Sequence, residues 1–120
     1  MDLKQIVIKF DECINNQDIE NISKWMHKDY TFIDTGNNIE KGKEKGLRSW
    51  KGFFEHFPDY KNVFEEFLVR DDIVIIIGHS VCSEKMLDGK AIWTAKIKDN
   101  KIYEWRVYED TKEIKKELKI

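Results

Sequence analysis

Polar and apolar positions change period midway along this chain, dividing it into a helical first half and a strand-rich second half. Leu3, Ile6, Val7, Phe10, Cys13 and Ile14 follow the three-and-four spacing of one amphipathic helical stripe. Asp2 ahead of Gln5 makes a capping-box pattern at its start. Asn15-Asn16-Gln17 closes this helix, and Asp18 is placed to cap a second, shorter one that turns Ile19, Ile22, Trp25 and Met26 inward. From Tyr30 to Asp34 the period becomes two, with Tyr30, Phe32 and Asp34 on one face of a predicted strand. Gly36-Asn37-Asn38 breaks it. A third helix is predicted from about Lys43, burying Leu47, Trp50, Phe53 or Phe54, and Phe57, until Pro58 stops it. Four strands are predicted next, over roughly 60–70, 73–85, 90–98 and 101–109. The short polar breaks between them suit antiparallel connections. A last short helix is predicted with Asp110 as its N-cap, burying Ile114 and Leu118.

The order α-α-β-α-β-β-β-β-α predicts a single α+β domain over residues 1–120, with helices on one side of an antiparallel sheet. Ile73-Val74-Ile75-Ile76-Ile77 is apolar on both faces, whereas a sheet with one wet face alternates. Helices cover only one side. A homodimer packed through the outer sheet face is therefore expected to cover the other.

Charge narrows the function classes. Twenty-one Lys and Arg residues against 23 Asp and Glu give a net charge of −2, with the two signs interleaved. A nucleic-acid partner calls for a clustered basic excess, so none is expected. The run from Lys112 to Lys119 reads as a solvated helix face. No apolar run approaches the ~18 residues of a membrane span, and residues 1–4 lack a signal-peptide pattern. Cys13 and Cys82 lie far apart without CxxC spacing and read as reduced thiols of a cytoplasmic protein. His27, His56 and His79 show no ligand spacing, so no metal and no cofactor are expected.

Several segments together resemble the nuclear transport factor 2-like superfamily, and within it the SnoaL-like branch of polyketide cyclases and ketosteroid isomerases. Asn16-Gln17-Asp18 is similar to the polar turn between its first helices. Trp25-Met26-His27-Lys28-Asp29-Tyr30-Thr31-Phe32 is similar to its passage into the first strand. Gly42, Trp50, Phe53-Phe54 and Phe57-Pro58-Asp59-Tyr60 resemble its third helix, and Lys101 to Asp110 resembles its closing strand, K-I-x-x-W-R-x-Y-x-D. The resemblance implies a cone-shaped, curved antiparallel sheet wrapped around N-terminal helices (a cystatin-like fold), commonly dimeric, with an apolar pocket. The fold hosts isomerases, cyclases, epoxide hydrolases and non-enzymatic binding domains, so function has to come from the site.

By that resemblance Asp34 takes the position of the isomerase's general base. A carboxylate at the mouth of an apolar cavity is raised towards a useful pKa; the competing reading is a turn in which it accepts backbone N–H bonds. The isomerase's oxyanion-stabilising positions match Phe10 and Trp93, which lack an acidic donor. The epoxide hydrolase trio matches Val81, His79 and Val107, which has lost both carboxylates. His79 reads either as a core histidine or as a proton carrier opposite Asp34. The pocket is expected to be lined by Phe10, Tyr30, Phe32, Trp50, Val81, Trp93, Trp105 and Val107, a set suited to a small hydrophobic or ring-shaped molecule. Two functions compete: a ligand-binding domain, and a cofactor-independent isomerase or cyclase that moves a proton on a hydrophobic carbonyl compound with Asp34 as base. A protein-interaction or accessory domain is the third.

Overall fold

A computed structural model describes residues 1–120. Its elements are α1 (Leu3–Asn15), α2 (Ile19–Trp25), β1 (Met26–Ile33), β2 (Ile39–Lys41), α3 (Lys43–His56), β3 (Lys61–Arg70), β4 (Ile73–Val81), β5 (Gly89–Lys98), β6 (Lys101–Glu109) and α4 (Lys112–Leu118), with a short 3₁₀ turn at Lys85–Leu87 before β5. The predicted caps form. Asp2 accepts the Gln5 amide at 2.8 Å and Asp18 the Asn21 amide at 3.1 Å, each satisfying a donor that a helix start leaves unpaired. At the C-terminus the cap moves by one residue: Thr111 accepts the Ile114 amide, and Asp110 instead pairs with Lys115 at 3.4 Å.

The six strands form one open sheet in the order β2-β1-β6-β5-β4-β3. Every neighbouring pair is antiparallel except β1 and β6, which run parallel, so the sheet is mixed rather than purely antiparallel. The parallel pair joins the first strand to the last, after α3 and the β3-to-β6 meander have carried the chain across the sheet. Strand β1 begins at Met26, directly after α2, four residues earlier than the period-two run predicts. The break after Ile33 leads into the edge strand β2, whose three residues carry too little pattern to be read. At the other edge, β3 bulges between Phe64 and Glu66. Its backbone there crowds Gly78, where an added Cβ would lie 2.1 Å from the Val63 carbonyl oxygen.

The core fills the concave side. Ile6, Val7, Phe10 and Ile14 of α1 pack on Val74, Ile76, Trp93, Ala95 and Trp105 of the sheet. The convex side is partly covered within the chain itself. Ile75, Ile92 and Thr94 face it, yet they are only 4%, 0% and 5% exposed. The chain itself returns to this face through α4, since Arg70 at the end of β3 donates to the carbonyls of Leu118 (2.6 Å) and Lys119 (2.7 Å). Part of the cover that the apolar run demands is thus intramolecular. Val63, Leu68 and Val81 on the same face stay exposed. No helix is long and apolar enough to cross a membrane.

Candidate functional site: an aromatic cavity with one polar wall

Between the sheet and α3 lies a cavity of about 340 Å³. Tyr30 and Phe32 reach it from β1, Trp50 and Phe53 from α3, Trp93 from β5, and Trp105 and Val107 from β6. Parity explains the set: Phe32 pairs with Trp105, and Trp93 with Val107, so their side chains share the concave face. Helix α3 comes close because Gly46 has no side chain. A Cβ there would sit 2.7 Å from the Tyr30 ring and 2.9 Å from the Met26 methyl carbon. Across this contact the Trp50 indole N–H donates to the Tyr30 hydroxyl at 3.2 Å. Burial pushes the Tyr30 phenol far above its ordinary pKa, so it stays protonated.

Of the residues expected to line the pocket, Tyr30, Phe32, Trp50, Trp93, Trp105 and Val107 do. Phe10 does not. It is fully buried one layer below, with ring centroids 4.9 Å from Trp105 and 6.0 Å from Trp50, and it supports the wall rather than forming it. Val81 does not either, because it stands on the convex face of β4 and is 48% exposed.

The expected catalytic pair is not assembled. Asp34 lies at the cavity mouth, but its carboxylate accepts the amides of Gly36 and Asn38, both at 2.9 Å, and the Asn38 side chain at 3.1 Å. These bonds hold its pKa below the usual carboxylate value, the reverse of what a general base on carbon requires. The turn reading of Asp34-Thr35-Gly36 describes it. His79 shares the convex face with Ile77 and Val81, and its Nδ1 lies 2.9 Å from Glu65 on β3. It points away from the cavity, so it neither sits in the core nor faces Asp34. The epoxide-hydrolase match therefore loses its geometric basis as well: the residue of β4 that lines the cavity is Ser80.

Ser80 belongs to a polar wall that the sequence reading missed. Tyr60, Asn62 and Ser80 line one end of the cavity. The Tyr60 hydroxyl lies 3.0 Å from Ser80 Oγ, Ser80 donates to Asn62 Oδ1 at 2.9 Å, and Asn62 Nδ2 donates to Asp11 at 3.1 Å. Asn15 braces the far end, accepting the Asn62 amide at 2.8 Å and donating to both the Asn62 carbonyl (3.0 Å) and Asp11 (3.3 Å). Loss of hydration raises the Asp11 carboxyl to about 7, with Glu12 pushing the same way and the Asn62 bond opposing. Burial likewise pushes the Tyr60 phenol up to about 12. One signal for this wall was present: Asp11 stands four residues after Val7 and three before Ile14, on the edge of the apolar stripe. Asn62 and Ser80 become visible only through the pairing of β3 with β4, which sets them opposite each other.

No three His, Cys, Asp or Glu side chains gather in a way that would hold a metal ion.

Solved structures share this architecture. A nuclear transport factor 2-like protein of unknown function from Cytophaga hutchinsonii superposes with a TM-score of 0.77 at 16% identity, over 100% of this chain and 96% of the other. An uncharacterised cystatin-fold protein from Novosphingobium aromaticivorans gives 0.77 at 12% identity, over 89% and 97%. A protein from Shewanella denitrificans, provisionally named a SnoaL-like polyketide cyclase, gives 0.78 at 15% identity, over 98% and 96%. At these identities the likeness establishes the fold alone. In sequence, no curated protein matches the chain. The family model of the SnoaL-like domain matches residues 7–105, and the chain belongs to that family.

Proposed function

We propose that this SnoaL-like domain binds a small, mostly apolar, ring-shaped molecule in the aromatic cavity. One observation carries the reading: the eight aromatic side chains of Tyr30, Phe32, Trp50, Phe53, Tyr60, Trp93, Trp105 and Tyr108 line a cavity of about 340 Å³, within the size range of small-molecule sites. Tyr60, Asn62 and Ser80 form a polar end, and Asp34, Glu40, Asp88, Lys90 and Glu109 are also among the lining residues. Flat aromatic walls favour stacked or edge-on contact with a planar guest. A binding role is preferred over proton transfer because Asp34 is held in a turn and His79 faces away. The name polyketide cyclase carried by one structural relative agrees with a cyclic ligand.

The domain is further proposed to act as a cytoplasmic homodimer. Its two unpaired cysteines suit a reducing compartment. Val63, Leu68 and Val81 leave apolar surface on the convex face that α4 does not cover, and this is where the second subunit would pack.

The test is a titration with naphthalene, read by fluorescence of the tryptophans, on the native chain and on Ala91→Phe. Ala91 lines the cavity, and a ring placed there occupies the space of the guest. Saturable quenching in the native chain, lost in a folded Ala91→Phe, is the expected result. Equal response of both proteins would overturn the reading.

A further inference from the structure

We infer that the cavity selects its ligand by hydrogen-bond polarity. Tyr60 offers it an acceptor and Tyr30 a donor, and Asp11, outside the cavity, sets the polarity at Tyr60 through Asn62 and Ser80. The ligand class is then a ring compound with a hydroxyl or N–H group towards Tyr60 and a carbonyl or ether oxygen towards Tyr30. The inference rests on the proposed binding role and adds the chemistry of the guest.

The polarity follows from counting protons. An ionised Asp11 can only accept, so the side-chain nitrogen of Asn62 turns to it and leaves Oδ1 for Ser80. The Ser80 hydroxyl has one proton, and Asn62 takes it. Ser80 therefore faces Tyr60 with lone pairs, and the proton in the 3.0 Å Tyr60–Ser80 contact is the phenol's. Tyr60 has only lone pairs left for the cavity. Tyr30 is the opposite case. It accepts the Trp50 indole N–H at 3.2 Å, and no protein group receives its own proton. Tyr30 as a whole is buried and lines the cavity, so the unclaimed proton is a donor kept from bulk water.

Protonating Asp11 reverses the chain. The carboxyl becomes a donor, Asn62 turns its amide to offer Oδ1 to Asp11 and Nδ2 to Ser80, Ser80 donates to Tyr60, and the Tyr60 proton is freed for the cavity. The Asp11 carboxyl, raised to about 7, makes this reversal accessible near neutral pH. The ionisable groups around it are Glu12 on α1, which favours protonation, Tyr60, and Lys61, whose ammonium is bound to the Asn15 carbonyl. Cys82 lies beside Tyr60 as a thiol whose pKa is raised. Tyr60 itself, at about 12, keeps its proton throughout.

The experiment compares 2-naphthol with 2-methoxynaphthalene by calorimetry on the full chain, at about pH 8 and about pH 5.5. The two probes share a ring system, and only the first donates. Near pH 8 the naphthol is expected to bind about tenfold more tightly, the size of one well-made hydrogen bond. Near pH 5.5 that ratio should fall to about twofold or less. In Asp11→Asn the ratio should no longer change with pH. Ser80→Ala, which leaves the Tyr60 proton free for the cavity, should show the low ratio at both values, and Tyr60→Phe should bind both probes alike. Equal affinity of the native chain for the two probes near pH 8 would overturn the polarity while leaving the binding role intact. A ratio that does not move with pH in the native chain would overturn the part given to Asp11. If neither probe binds, the inference and the binding role fall together.

Discussion

Replacing Asp11 with asparagine should make the protein more stable in alkaline solution and less so in acid. The folded chain raises this carboxyl from 3.8 to about 7, because ionising it beneath the polar wall costs hydration. A group of this kind binds more protons folded than unfolded between those two values. Folding stability therefore declines as pH climbs from about 4 to about 7, and levels off above. A shift of roughly 3 units at about 1.4 kcal/mol each sets a ceiling of about 4 kcal/mol. Asp11 is only partly buried and water relaxes around it, so about 2 kcal/mol is the working figure. Against this, Asp11→Asn weakens one bond, the 3.3 Å contact from Asn15, for about 1 kcal/mol. The variant should thus be about 1 kcal/mol less stable near pH 4 and about 1 kcal/mol more stable near pH 8. Urea unfolding of both proteins across that range, followed by tryptophan fluorescence, measures the difference. Asp18, Asp34 and Asp59, whose pKa values are lowered, contribute stability that is lost as pH falls through those values, below the window. They also cancel between the two proteins. A stability difference that stays constant with pH would refute the reasoning.

Further outcomes follow from the packing. Phe10→Ala should cost about 3–5 kcal/mol in urea unfolding, since it empties a fully buried site beneath Trp50 and Trp105. Gly46→Ala should destabilise by about 1–3 kcal/mol and weaken naphthalene binding, because its methyl would displace the Tyr30 ring; the same unfolding series and a fluorescence titration check both effects. His79→Ala should leave naphthalene affinity unchanged within about twofold, since the imidazole is bound to Glu65 on the convex face, and calorimetry reads this directly.

Long periodic signals carried the fold. The α1 stripe, the stop at Pro58 and the turns at Asp71-Asp72 and Asp99-Asn100 each correspond to an observed boundary, because each depends on contacts within a few residues. The turn at Asp99-Asn100 shows why: both residues take positive φ, which asparagine and aspartate tolerate and a tight β-turn demands. The strand expected over 73–85, by contrast, ends at Val81, and the chain reaches β5 through the 3₁₀ turn at Lys85–Leu87. What depends on pairing across the sheet was not legible. Strand β2 exists because Ile39–Lys41 meets Thr31–Ile33, and the parallel β1–β6 contact joins residues far apart in the chain. The site divides the same way. Its aromatic residues could be named from period-two faces, whereas Asp34 and His79 were placed by analogy, and one residue of register puts Ser80 rather than His79 on the cavity side. The Asp11–Asn62–Ser80–Tyr60 chain spans three elements, and no local pattern announces it.

The central claim is that a ring-shaped guest sits among these particular side chains, and the four tryptophans make it directly measurable. Trp50, Trp93 and Trp105 line the cavity, whereas Trp25 lies outside it. In a nitrogen-15 correlation spectrum each indole N–H gives its own signal, and 2-naphthol is added stepwise. Saturable shifts of the Trp50, Trp93 and Trp105 signals with Trp25 unmoved are the predicted result. No shift, or a Trp25 shift as large as the others, would contradict the account.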